Sequence, residues 1–248
     1  MDATFWALAV PAVIFAGISK GGFGSGGAFA ATPLIALAAG PGMALAVMLP
    51  VLMAIDLATL GPYRGRWSWP EARLLILGAL PGIAIGMAVY SVAPESAIRL
   101  LIGVIALAFV AFQMLRRAGW LAPPAAGMGP AAGLMLGAGA GFTSFVAHAG
   151  GPLVLIFLLG RGLGKTRYQA TTVLVFWAIN LIKAAPYAWL GLFTAESLRI
   201  ALLLAPAALL GAWAGVVLHR VVPERAFFAL TYLLLTLAGL KLISDALI

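Results

Sequence analysis

Polar side chains are scarce in this chain, and those that could do chemistry cluster in two glycine-rich stretches. The second stretch runs Gly137-Ala-Gly-Ala-Gly-Phe-Thr-Ser-Phe-Val-Ala-His-Ala-Gly-Gly-Pro152. Thr143, Ser144, His148 and the Gly150-Gly151 backbone offer it hydrogen-bond donors, and His148 can carry a proton near neutrality. The first stretch, Gly17-Ile-Ser-Lys-Gly-Gly-Phe-Gly-Ser-Gly-Gly27, offers Lys20, Ser25 and the backbone of Gly22, Gly24, Gly26 and Gly27. Glycine lets a chain leave helical geometry and approach a ligand closely. The N–H groups freed at such a break, at the start of the next helical arm, favour small anions. Phe23 and Phe142 recur at the two stretches and serve as gates or as packing.

Three more polar residues lie inside apolar runs: Asp56, Asn180 and Lys183. A charge buried in lipid is costly and usually faces a pathway or a partner. Lys183 sits one turn beyond Asn180 on roughly the same face; it either attracts an anion or pairs with Asp56. Lys20 either faces the anion or snorkels to a vestibule. Asp56 and His148 are the candidates for coupling to protons. No second ligand stands at helical spacing from His148, so no metal is expected. Ser25 and His148 could form a nucleophilic dyad, the enzymatic alternative, if the fold brings them together. Gly162-Leu-Gly-Lys-Thr166 looks like the end of a phosphate-binding loop. Leu159 stands where that motif needs glycine, and no strand precedes it, so it reads as a basic loop.

The elements that hold these residues must be membrane helices. Of the 248 residues, 64% are apolar and 9% charged, with a mean hydropathy of +1.11. Soluble domains are about a quarter charged, and a water-soluble globule of this size could not hide so much apolar surface. The same richness excludes disorder. The apolar runs are helix-length and lack the alternation of a membrane β-barrel. The net charge of +8 then reads as loop charge that sets orientation, not as nucleic-acid binding. The absence of cysteine excludes thiolate ligands, disulfides and thiol redox chemistry. No cofactor is implied, and no cleavable signal peptide is expected at residues 1–17.

A span needs about 20 apolar residues. Residues 42–61, 70–91, 97–115, 168–190, 198–218 and 225–243 qualify cleanly. Residues 3–39 and 130–160 are each too long for one span. Each reads as two apolar arms around its glycine-rich break, either short full spans or a re-entrant hairpin. The breaks carry a repeat. Gly22-Phe23-Gly24-Ser25 matches Gly141-Phe142-Thr143-Ser144, and Pro33-Leu34 matches Pro152-Leu153 at the same offset of 119. Ile55-Asp56-Leu57 then matches Ile179-Asn180-Leu181, Pro62-Tyr63 matches Pro186-Tyr187, Pro81 and Gly86 match Pro206 and Gly211, and Pro94-Glu95 matches Pro223-Glu224. The expected organisation is a first membrane repeat over 1–120, a linker over 121–126 and a second repeat over 127–248.

Charge supplies the topology. Arg64, Arg66, Arg73, Arg116, Arg117, Arg161, Lys165, Arg167, Arg220 and Arg225 fall in four loops. The opposite face keeps Arg99, Arg199 and Lys241 beside Asp2, Glu95, Glu196 and Asp245. The positive-inside rule makes the four loops cytoplasmic and puts both termini on the periplasmic or extracellular side. One returning element plus three spans per half is an odd count, so the halves should be inverted. The expected fold is all-α and polytopic, with two inverted repeats, each a broken re-entrant-like helix pair plus three transmembrane helices. Inverted repeats with discontinuous helices are a signature of secondary transporters, whose sites lie near the midplane.

The motif Lys20-Gly-Gly-Phe-Gly-Ser-Gly-Gly27 followed by Pro33-Leu34, repeated more loosely in the second half, resembles the TauE/SafE sulfite exporter family. The likeness covers nearly the whole chain. Lys20, Gly21, Gly22, Phe23, Gly24, Ser25, Gly26, Gly27 and Pro33 match; in the second half Ala147-His148 replaces small residues. The resemblance implies a bacterial inner-membrane secondary carrier, without an ATPase subunit, for sulfite, organosulfonates and related sulfur oxyanions or carboxylates. The expected site is Lys20, Gly22, Phe23, Gly24, Ser25, Gly26, Gly27, Thr143, Ser144, His148, Gly151, Asn180 and Lys183. The expected partners are a small anion, the lipid bilayer and, as options, protons and a second copy of the chain. Export by alternating access is the leading expectation. A proton-coupled uptake permease, a passive anion channel, an intramembrane hydrolase and a non-catalytic scaffold are the alternatives.

Overall fold

The computed structural model describes residues 1–23, 27–121, 127–218 and 222–248. Among them the chain is helical throughout: α1 (Ala3–Ile18), α2 (Ala31–Leu60), α3 (Trp69–Val92), α4 (Glu95–Arg117), α5 (Pro130–Ala147), α6 (Gly151–Gly160), α7 (Lys165–Trp189), α8 (Ala195–Leu218) and α9 (Glu224–Leu247). Eight helical segments of the described residues are long and apolar enough to cross a membrane. Large side chains such as Leu202, Leu210, Trp213 and Leu237 are exposed on their outer faces, where lipid tails would cover them.

Both broken regions have the expected two arms. The first arm of the first break is α1, extended by a single π-helical turn over Ser19–Phe23. The second arm starts with a short 3₁₀ turn at Ala28–Ala30 and continues into α2. It ends at Gly40, whose φ of 82° lies in the left-handed region open to glycine, with Pro41 restarting the helix. A Cβ on Gly40 would sit 3.0 Å from Glu95, and one on Gly42 would sit 3.1 Å from the Tyr90 hydroxyl, so this corner lies at the α3–α4 turn. The arm of residues 28–39 is about 18 Å long at helical rise. In the second break α5 ends at His148, which adopts a left-handed conformation (φ 54°), and α6 leads to a corner at Gly162 (φ 67°). With 10 residues, α6 is about 15 Å long, half the ~30 Å hydrocarbon core. Each second arm is shorter than the hydrocarbon core, the length expected of a returning arm.

The arms are held by backbone approach through small residues. A Cβ on Gly82 would lie 1.9 Å from the Ala138 carbonyl oxygen, and one on Gly141 would lie 2.3 Å from that of Ala79. The same pattern joins Gly17 to Ala208 (2.1 Å) and Gly211 to Ile14 (2.3 Å). Small-residue stripes let helices pack this closely where no hydrophobic drive exists between them. The register makes α5 parallel to α3, and α1 parallel to α8. Meanwhile α4 crosses α9 antiparallel, with Gly103 against Ile243 and Leu107 against Gly239. Residues 41–60 of α2 run antiparallel to α7, from Gly42 beside Leu192 to Asp56 beside Asn180.

The basic loops gather on one face, hereafter the basic face. Arg161 pairs with the buried Glu71 at 3.1 Å and donates to the Met128 carbonyl at 2.9 Å, while Ser68 donates its N–H to Thr171 at 2.9 Å. Ser68 also donates its hydroxyl to Glu71. These bonds tie the α2–α3 loop to the α6–α7 corner. Arg220 lies outside the described residues, as does 122–126 of the linker.

Candidate functional site

The two breaks meet. A narrow cavity of about 20 Å³, room for one or two waters, is lined by Lys20, Ala28 and Phe29 from the first break and by Ser144, His148 and Gly151 from the second. Leu52, Phe176 and Asn180 complete its wall. Both second arms therefore begin at the cavity, at Ala28 and Gly151, where opening-turn N–H groups lack helical partners.

Two buried lysines arrive by different routes. Lys20 sits on the π turn, a geometry often found at functional positions. Its ammonium pairs with Asp56, its carbonyl accepts from Gln169 at 3.4 Å, and Phe176 lies 5.8 Å below it. Asp56 is fully buried, and its other oxygen accepts from Asn180 at 2.8 Å. The repeat partners Asp56 and Asn180 thus touch each other. Lys183 is also fully buried and does not pair with Asp56. Its ammonium donates to the Ser144 carbonyl, the Ser144 hydroxyl and His148 Nδ1, each at 2.9 Å. An acceptor at Nδ1 leaves the His148 proton on Nε2, which faces the Leu45 carbonyl at 3.3 Å. In this arrangement His148 is a neutral acceptor for Lys183, and the positive charge belongs to the lysine. Tyr187 supports the turn by donating to the Phe145 carbonyl at 2.5 Å.

Counting formal charges, two ammonium groups face one carboxylate. No carboxylate among the described residues makes an ion pair with Lys183, so with both lysines protonated and Asp56 ionised the formal charge of the cluster is +1. Such a site suits an anion, since a buried charge needs compensation.

Of the residues expected from the sequence, Lys20, Ser144, His148, Gly151 and Asn180 line the cavity, and Lys183 stands directly behind Ser144 and His148. Thr143 bonds back to the Gly139 carbonyl at 2.8 Å and does not line it. Phe23 stacks on Phe227 at 4.1 Å, and Phe227 stacks in turn on Phe15, so the first phenylalanine packs the break against α9. Gly27 donates to Ser19 Oγ at 3.1 Å and abuts Phe227. Gly22 lies on the π turn, away from the cavity lining. Gly24, Ser25 and Gly26 fall outside the described residues, and with them the Ser25–His148 dyad. Phe176, Leu52 and the Leu45 carbonyl were not anticipated: an aromatic, an aliphatic and a backbone oxygen carry no sequence mark. Gln169 and Thr172 were missed as well, though polar residues inside an apolar helix were the available signal.

Fold and site define a polytopic helical membrane protein with a small, buried, polar pocket between two broken helices. The family model described as sulfite exporter TauE/SafE matches residues 9–242, and the chain belongs to that family of membrane transporters. No curated protein and no solved structure matches the chain.

Proposed function

We propose that this protein is a secondary carrier that exports a small sulfur-containing anion, such as sulfite or an organosulfonate, by alternating access at the pocket between the breaks. The observation that carries the reading is the uncompensated Lys183 ammonium beside Ser144, His148 and the starts of both second arms. An oxyanion has several acceptors, and the pocket has several donors to meet them. Lys183 and Lys20 would supply charge, and the Ser144 and Ser25 hydroxyls and the arm N–H groups would supply directional bonds.

The carrier reading also rests on symmetry. Chain halves 1–120 and 127–248 are proposed to be inverted copies. The antiparallel crossing of counterpart helices, α4 with α9 and residues 41–60 of α2 with α7, supports this, as does the contact between Asp56 and Asn180. Inverted halves can rock about a shared site and open it to one side at a time. The cavity is tighter than a sulfur oxyanion needs, so loading requires the halves to part. With the basic face cytoplasmic, the membrane would be the bacterial inner membrane with both termini outside. An inside-negative potential would then drive anions outward without ATP. Asp56 is the candidate for coupling to protons, being the buried carboxylate at the centre.

Purified protein in liposomes tests this. Sulfite-loaded vesicles should lose sulfite in a saturable way and show counterflow, which a channel would not. Flux no greater than from empty liposomes for sulfite, thiosulfate, taurine and simple carboxylates alike would end the proposal.

A further inference from the structure

A second, smaller hollow of about 10 Å³ lies next to the cavity, toward the basic face. Asp56, Thr59, Gln169 and Thr172 line it, and Thr59 and Gln169 are half-exposed near the loops of that face. Two side chains line both hollows: Lys20 and Phe176. They are the partition. The Lys20 ammonium lies over the Phe176 ring and is tethered across the gap by Asp56, which Asn180 holds from the other side.

We infer that the Lys20–Asp56 pair is the basic-face gate of the pocket, and that a monoanion opens it by replacing the Asp56 carboxylate on the Lys20 ammonium. This rests on the carrier reading above and deepens it. The argument is one of charge. Lys20 is 9% exposed and Asp56 is fully buried, so neither charge can be left without a partner. A neutral solute cannot release Lys20, because both charges would be stranded. An anion can, since it becomes the new partner of Lys20. Asp56 then keeps the Asn180 amide and the electrostatic attraction of Lys183, so it too retains partners. The net +1 of the pocket is cancelled by one negative charge, so the gate selects for monoanions.

The chain contains no cysteine, so single cysteines report accessibility without background. Leu52→Cys lies beyond the gate in the inner cavity, Gln169→Cys lies before it, and Lys165→Cys marks the basic face. The probe is a cationic, membrane-impermeant methanethiosulfonate added to the basic face of membrane vesicles. With Lys20 and Asp56 intact, Gln169→Cys should react at least ~10-fold faster than Leu52→Cys. Lys20→Ala or Asp56→Asn should abolish that difference, while Lys20→Arg, which keeps the pair, should retain it. Methanesulfonate should speed Leu52→Cys labelling, and its neutral isostere dimethyl sulfone should not. Labelling of Gln169→Cys at the same rate in every background verifies the fold. A Leu52→Cys rate unchanged in both Lys20→Ala and Asp56→Asn overturns the gate. Equal effects of the sulfonate and the sulfone overturn the exchange of anions. Absence of sulfite flux in liposomes, by contrast, sinks the carrier reading and leaves the labelling result standing.

Discussion

At the first break a lysine meets a carboxylate; at the second, a lysine meets only a carbonyl, a hydroxyl and an imidazole nitrogen. Lys20 and Asp56 neutralise each other. Lys183 is equally buried and has its three donors satisfied, yet its charge has no counter-ion among the described residues. Hydrogen bonds satisfy geometry, whereas only an anion satisfies charge. The two breaks thus differ in electrostatics: the first contains an ion pair, and the second holds its lysine by hydrogen bonds alone.

This contrast can be broken by experiment. The largest expected effect is on stability at the first break. Lys20→Met strands a buried carboxylate and should cost ~3–5 kcal/mol, seen as a lower melting temperature in detergent. The double variant Lys20→Met/Asp56→Leu should recover most of that. If the single variant melts like the parent, the pair is not a structural tie. Next comes ligand binding at the second break. Lys183→Gln removes a charge-assisted interaction of ~1.5–3 kcal/mol, so the apparent affinity for sulfite in liposome flux should weaken ~10-fold or more. A matching loss from Lys20→Gln and none from Lys183→Gln would reverse the roles assigned here. Packing is the third comparison. Gly82→Val puts a side chain against the Ala138 carbonyl and should cost ~1–3 kcal/mol or more by overpacking. Gly17→Val should match it at the α1–α8 contact, and unequal costs would show one arm to be the looser. The smallest effect is Ser144→Ala, which removes one acceptor of Lys183 and one donor facing the cavity. A loss of ~1 kcal/mol, about fivefold in apparent affinity, is expected, and unchanged flux would take this hydroxyl out of the mechanism.

Much of this was readable from residues alone. The two glycine-rich stretches do break their helices, and Gly40 and Gly162 turn the returning arms back. The offset matches that linked Asp56 with Asn180 identified two residues that meet at the centre. The reading of Lys183 was only half open to the sequence. Spacing put it on the face of Asn180, but either Asp56 or an anion could have claimed it, and Lys20 took Asp56 instead. His148 is by residue type a candidate source of positive charge, and the fold sets its Nδ1 2.9 Å from the Lys183 nitrogen. Phe23 recurs in the repeat and packs on Phe227, while Phe176, without any repeat to mark it, lines both hollows.

Composition and hydropathy by themselves determined that the chain must live in lipid as helices, because backbone polar groups there need partners within their own segment. Glycine placement determined where those helices fail, because that property is local. Which lysine is neutralised, which nitrogen of His148 carries the proton and which aromatic divides the hollows were decided only by the tertiary structure. Each depends on groups 35 to 124 residues apart along the chain reaching hydrogen-bond distance, and sequence spacing does not encode such meetings.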